Sequence, residues 1–292
     1  MADVLLHAPD SVEEACGLLG DYQGEARAIA GGTAVVLMLR QGLIRPRALV
    51  RLDRVPGLNS VSRENGHVRI GALTTLRAAA ADSFMREHLP ALAGAFGLVG
   101  NVRVRNAATV GGNVCEADYA SDPPGVLVAM DARVRVAGQG GVREISVSEL
   151  ITDFYETSLA PDELVTDILV PIPLPGTRSV YLKYITRSSE DRPCVGATAL
   201  LRVGDDGLLT DLRVGVGAVA GQPLRLPQAE ETARGERPSE ELFAEIGERY
   251  AEAAEPVADV RGSTSYRKQM ILVFVRRALR AALAGETGAR KV

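Results

Sequence analysis

Apolar and polar positions along the chain change period several times, and each change marks an element. Pro9-Asp10-Ser11 followed by Glu14 has the form of a capping box, and Val12, Ala15, Leu18 and Leu19 then share one helical face until Gly20 stops it. Residues 27–30 form a short apolar strand that runs straight into Gly31-Gly32, and residues 35–39 resume with helical character. A strand over 48–53 closes a small βαβ-like unit near Pro56-Gly57. Residues 67–72 alternate as a half-buried strand does, and 74–81 and 89–97 read as helices around a break at Pro90. A second glycine pair follows, then Pro123-Pro124 and the apolar run 126–130, which reads as a buried helix. Residues 133–136 alternate again, and 164–170 form one more strand.

The cluster Pro171-Ile172-Pro173-Leu174-Pro175-Gly176 is the best domain boundary in the chain. Beyond it, strands at 197–203 and 212–216 flank Gly204-Asp205-Asp206-Gly207, a strong hairpin signal, and helices follow over 239–254 and 266–283. The tail carries the composition of an α+β unit, and with the turn near Pro56-Gly57 the chain is partitioned as 1–57, 58–175 and 176–292, with no repeat of fixed period.

Composition narrows the chemistry. The 292 residues are 46% apolar, enough for two or three real cores. Lys plus Arg total 33 against 37 for Asp plus Glu, a net charge of −4, with no basic arm and few aromatics, so nucleic acid is not an expected partner. No segment has the apolar length of a membrane span, and Met1-Ala2-Asp3-Val4 lacks the basic region that opens a secretory signal, so a cytoplasmic address is expected. Cys16, Cys115 and Cys194 are far apart, and His7, His67 and His88 form no ligand pair. No metal centre of the chain's own is expected, nor a Ser-His-Asp constellation.

Two glycine pairs, in Ala30-Gly31-Gly32-Thr33-Ala34 and Thr109-Val110-Gly111-Gly112-Asn113, are the most informative local feature. Glycine reaches φ > 0 and removes the Cβ that would hold a phosphate away from main-chain amides. Strand, glycine turn and helix aim free amides at an anion. Thr33, Thr109 and Asn113 add neutral donors, and Ser121 and Asp122 stand close by in the sequence. The two pairs read as halves of one cradle for a dinucleotide diphosphate held without being cleaved.

Two other motifs take blander readings. Gly215-Val216-Gly217-Ala218-Val219-Ala220-Gly221 resembles a dinucleotide fingerprint only superficially; its third glycine comes one place late and Gln222-Pro223 follows, so a strand and turn are expected. Arg267, Lys268, Arg276, Arg277 and Arg280 read as a solvated helix face rather than a docking surface.

Several short motifs in order give the chain a specific resemblance. They are Ala30-Gly31-Gly32-Thr33, Asp53-Arg54-Val55-Pro56-Gly57-Leu58, Ile70-Gly71-Ala72-Leu73-Thr74-Thr75, the run from Arg105-Asn106 to Asn113, and Ser121-Asp122-Pro123-Pro124. Asp162-Glu163-Leu164-Val165, Lys183 with Arg187, Asp259-Val260-Arg261-Gly262-Ser263 and Tyr266-Arg267 complete the set. Over nearly its whole length the chain resembles the flavin-binding medium subunit of the molybdenum hydroxylase family, the group of xanthine dehydrogenase and aerobic carbon monoxide dehydrogenase.

The resemblance implies an FAD-binding fold of two α+β subdomains, of the vanillyl-alcohol oxidase (PCMH) type, followed by a smaller α+β C-terminal domain. It implies that Ile29-Ala30-Gly31-Gly32-Thr33-Ala34-Val35 wraps the diphosphate and ribityl portion of FAD, with Thr109, Gly111, Gly112 and Asn113 opposite. By the same resemblance Ser121 and Asp122 serve the cofactor, Asp122 toward its adenosine or ribityl region, Val165 supplies backbone contacts, and Lys183 lies near the flavin ring. Arg192 stands where relatives often place an isoleucine or tyrosine that can cover one flavin face. An arginine there could swing away, pair with Glu190 or Asp191, or attract an anionic acceptor.

The implied protein is the electron-transfer subunit of a heterotrimer, doubled into a dimer of heterotrimers. Substrate chemistry then occurs at molybdopterin in a large subunit, 2Fe-2S clusters sit in a small one, and electrons leave to an external acceptor. The alternatives are a self-contained flavin oxidoreductase of the vanillyl-alcohol oxidase type and a nucleotide-binding assembly subunit without flavin.

Overall fold

The computed structural model describes residues 4–186 and 192–292; Met1-Ala2-Asp3, Arg187, Glu190 and Asp191, named above, lie outside the described residues. The first region comprises β1 (Leu5–His7), α1 (Val12–Asp21), β2 (Ala26–Ile29), α2 (Val35–Gln41) and β3 (Ala48–Arg51). Its strands form a parallel sheet in the order β1-β3-β2, as a βαβ reading requires. Only half of the expected capping box forms: the N-cap Ser11 hydroxyl accepts from the Glu14 amide, but the Glu14 carboxylate accepts from the amide of Asp10, one residue before the cap. The helix runs one residue past Gly20, to Asp21. Ala15, Cys16 and Leu19 pack with Val50 and Leu58, and with Ala137 and Leu164 from farther along the chain.

The second region begins with β4 (Val61–Glu64) and β5 (His67–Gly71) and continues through helices α3 (Leu76–Ala81), α4 (Ser83–His88), α5 (Pro90–Leu98), α6 (Val102–Ala107), α7 (Val110–Glu116) and α8 (Pro123–Ala129). It returns to strand in β6 (Arg133–Gly138) and β7 (Gly141–Ser146), passes through α9 (Val147–Leu150), β8 (Ile151–Asp153) and β9 (Glu156–Thr157), and ends in β10 (Leu164–Pro171). An antiparallel sheet forms in the order β4-β5-β10-β6-β7. Pro90 opens α5 instead of breaking a helix, because the first helical position needs no N–H donor. All seven residues of α8 are buried, as its apolar run predicts.

The third region holds β11 (Arg178–Tyr184), β12 (Val195–Val203), β13 (Leu209–Gly217), α10 (Pro227–Glu231), α11 (Glu240–Ala253), α12 (Thr264–Leu283) and β14 (Gly288–Lys291). The expected hairpin is β12–β13, and the sheet order is β13-β12-β11-β14. The last strand pairs parallel with β11, a pairing that Gly-Ala-Arg-Lys does not announce. α8 crosses β13 so closely that a Cβ on Gly215 would stand 2.1 Å from the Gly125 carbonyl oxygen. Gly215 thus serves helix–strand contact, in a strand that ends at Gly217.

The solvated reading of the arginine helix needs one correction. Arg267 is 0% exposed, because it lies on the same face as Ile271, Phe274 and Ala278, which join the core. Its guanidinium donates to the Ala218 carbonyl at 3.0 Å and to both Asp259 carboxylate oxygens, at 2.9 and 3.0 Å. Arg276 and Arg280 pair with Glu240, and Arg277 lies over the Phe274 ring. Among the described residues no helix is long and apolar enough to cross a membrane.

Candidate functional site

β2 delivers Ile29 to a turn at the mouth of the first sheet, and α2 leaves from Ala34. Within that turn Gly32 takes φ +70°, the left-handed region that favours glycine. Gly31 is required by contact: a Cβ there would stand 1.8 Å from the Ala107 carbonyl oxygen. That contact joins the two glycine pairs in space, since Ala107 and Ala108 lead directly into Thr109. Among the described residues, no protein acceptor receives the amides of Gly31, Gly32, Thr33, Ala34 or Val35. The Thr33 side chain is exposed beside them.

The second pair is built differently. Thr109 caps α7, its hydroxyl accepting from the Gly112 amide at 3.1 Å. The Val110 and Gly111 amides donate to the Thr74 and Ala72 carbonyls, and the Asn113 amide donates to Thr109. Four successive amides are thus spent inside the protein, and an equal amide cradle at both pairs does not form. Gly111 allows close packing, since a Cβ there would stand 2.5 Å from Ala72 Cβ. Gly112 is exposed and presents a bare Cα, leaving room for a ligand to approach the backbone. A run of unpartnered amides that opens on two glycines without Cβ atoms fits a diphosphate.

From α7 a relay of polar contacts leads to the third region. Asn113 Nδ2 donates to the Ser121 hydroxyl at 2.8 Å, and Asp122 follows at the start of α8. Asp122 is buried and fully engaged: Lys183 Nζ donates to Oδ2 at 2.7 Å and the Tyr181 hydroxyl to Oδ1 at 2.6 Å. Lys183 is 1% exposed and also donates to the Leu98 carbonyl at 2.9 Å, so two of its three N–H donors are used. Burial pushes the Asp122 carboxyl up, against the pull of the Lys183 ammonium and the two hydrogen bonds. Burial and the Asp122 charge push the Tyr181 phenol well up. Period-two alternation places Tyr181 and Lys183 on one face of β11, the one sequence signal that marks Tyr181.

Val165 sits buried on β10, paired with Val136 and just beyond the ladder to β5, which begins at Asp167. Arg192 pairs with a residue that the sequence did not suggest: its Nη2 lies 2.8 Å from the Asp118 carboxylate. The Tyr155 hydroxyl donates to the same carboxylate at 3.2 Å, while the Arg192 side chain remains 57% exposed. Behind them the Tyr119 hydroxyl meets Asp259 and Arg261. Hydrogen bonds from Arg261 and the nearby Arg267 overcome the burial of Asp259 and hold its carboxyl well below the usual range. Asp118 and Tyr119 directly precede the Ser121-Asp122 motif, but their bridges to Tyr155 and Arg261 are made by folding, across 37 and 142 positions.

The family described as the FAD binding domain in molybdopterin dehydrogenase matches residues 2–173, and the CO dehydrogenase flavoprotein C-terminal domain matches 180–282. The chain belongs to the FAD-binding subunits of the molybdopterin dehydrogenases. It is 32% identical over 274 residues to the 6-hydroxypseudooxynicotine dehydrogenase complex subunit alpha of Paenarthrobacter nicotinovorans, covering 94% of this chain and 92% of that one. It is 29% identical to the carbon monoxide dehydrogenase medium chain of Hydrogenophaga pseudoflava, over 95% of this chain and 96% of that one. A solved carbon monoxide dehydrogenase from the same organism superimposes with a TM-score of 0.92 at 30% identity, covering 96% of this chain and 97% of that chain. As a family member, the chain is the FAD-bearing subunit of an oxidoreductase complex.

Proposed function

We propose that this subunit carries electrons from a 2Fe-2S partner to an external acceptor, while the substrate is oxidised at molybdopterin in a third subunit. The observation that carries this reading is the run of five unpartnered amides, Gly31 to Val35, whose first residue is pressed against the backbone that leads into the second glycine pair. In it, these amides and Thr33 hold the diphosphate, and exposed Gly112 lets it approach α7. Thr109 and Asn113 fix the first turn of α7, and Ser121 ties that turn to Asp122. Val165 supports the cofactor from β10. Bound FAD supplies the redox chemistry.

The third N–H of Lys183 is the donor we assign to the flavin ring, with Asp122, Tyr181 and the Leu98 carbonyl fixing the ammonium. A cation at the pyrimidine edge of the ring favours the reduced, anionic flavin and raises its potential. Asp118 and Tyr155 orient Arg192, whose exposed face offers donors to an anionic acceptor. The complex is a dimer of heterotrimers in this reading: relatives named as medium chains point to larger and smaller partner chains, and the doubling rests on the prevalence of two-fold assemblies.

Purification of the native complex tests the proposal. Flavin, molybdenum and iron–sulfur signals are expected together, and a complex without flavin absorbance overturns it. In the same complex Lys183→Met is expected to lower the flavin midpoint potential; an unchanged potential removes Lys183 from the ring site.

A further inference from the structure

β14 holds a place that its own sequence does not account for. Gly288-Ala289-Arg290-Lys291 has no apolar pattern, and it lies beyond residue 282, where the match to the C-terminal family domain ends. Yet it packs on α5 of the second region as well as pairing with β11 of the third. A Cβ on Gly94 would stand 2.6 Å from Ala289 Cβ and 2.9 Å from the Ala289 nitrogen, so the strand is seated where the helix has no side chain.

The seat leads to Lys183 by two routes. Along α5, Leu98 lies one turn on from Gly94, and its carbonyl accepts from Lys183 Nζ. Along β14, Lys291 lies two residues on from Ala289 and in register with Lys183, and the Val292 amide donates to the Lys183 carbonyl at 2.9 Å. One helical turn and two strand residues each advance about 5–7 Å, so helix and strand arrive together. On its other side Lys183 faces Gly196 of β12, which offers no side chain. Burial raises the Asp122 carboxyl, and the Lys291 charge opposes that rise after the Lys183 charge and the hydrogen bonds, as its place on the same face of the sheet requires.

We infer that β14 is a strap that positions Lys183 for the flavin ring, with the contact of Ala289 on Gly94 as its fastening. The inference rests on the assignment of Lys183 to the ring made above. The lysine stem is flexible over four carbons. Asp122 and Leu98 hold its head, and the strap holds its base by fixing the edge of β11 to the helix that carries the Leu98 carbonyl. A base that shifts takes the third N–H out of line with the ring, and a hydrogen bond weakens steeply as its angle closes. Gly94 and Ala289 are positioning residues in this sense, acting through Lys183.

The flavin midpoint potential of the native complex tests it. Gly94→Ala drives a methyl into the Ala289 backbone and is expected to shift the potential down, in the direction of Lys183→Met and by less. Gly247→Ala is the structural control. Its Cβ would stand 3.0 Å from the Leu272 carbonyl between α11 and α12, so it should lower the melting temperature and leave the potential unchanged. If Gly94→Ala does not retain its flavin, Arg290→Pro takes its place with the same expectation. In a parallel ladder the Arg290 amide, two before that of Val292, also faces β11; proline removes that donor, and the exposed Arg290 side chain supports no core.

A wild-type potential in the strap variant overturns the inference, and so does a fall that Gly247→Ala reproduces. If Lys183→Met lowers the potential in the same series, the ring-site reading stands although the strap has failed. If Lys183→Met is also without effect, both fail.

Discussion

Arg267 shows how one side chain can evade a reading based on helical period. Its neighbours at positions 271, 274 and 278 put it on the core face, so its charge must be met by a fixed anion, and Asp259 supplies it from the preceding loop. Breaking a buried ion pair leaves the remaining charge uncompensated. Asp259→Asn is therefore expected to destabilise the subunit by about 3–5 kcal/mol at pH 7, measured by urea unfolding. The sign of its pH dependence follows from the lowered carboxyl. Asp259 contributes fully above its unfolded pKa of about 4 and loses that contribution as pH falls toward the folded value. The gap between wild type and variant should narrow at pH 3; a constant gap shows that the pair is not the source. The Lys183 site was half legible in the same sense: Lys183 and Asp122 belong to motifs, but the Leu98 carbonyl that also holds the ammonium is brought in by tertiary folding alone.

Elements whose apolar period is strong were legible, including α1, α8, α12 and the β12–β13 hairpin. The parts that escaped owe their existence to neighbours: β14 has no apolar pattern and forms because β11 offers a free edge. Glycine was the most ambiguous letter. Gly215 in a fingerprint-like run is a packing residue, and Gly111 in the second pair packs on Ala72, whereas Gly32 provides a turn. Gly215→Ala is expected to cost about 1–3 kcal/mol, because the new methyl meets a backbone carbonyl of α8 that no rotamer change can move. Gly17→Ala is the control: its Cβ meets nothing within 4 Å on α1, so a gain of about 0.5–1 kcal/mol is expected. Equal effects at the two positions in thermal melts would mean that α8 and β13 are not in close contact in solution.

At the scale of the molecule, three apolar clusters are joined across the site by backbone contact and polar relay: Gly31 on Ala107, Asn113 to Ser121, and Asp122 to Lys183. A cofactor that binds only the folded chain stabilises it by mass action, about 2.7 kcal/mol at a hundredfold excess over Kd. Global stabilisation alone cannot distinguish the two glycine pairs, but their amides can. Those of Gly31 to Val35 have no acceptor among the described residues, while those of Val110, Gly111, Gly112 and Asn113 already donate within the protein. Hydrogen exchange on the flavin-loaded and flavin-stripped complex should therefore differ most at 31–35, where the diphosphate provides the missing acceptors. The 110–113 amides should change only as far as global stability changes. Equal new protection at both pairs would mean that α7 rearranges when FAD binds, freeing the amides that Thr109, Thr74 and Ala72 hold in the structure.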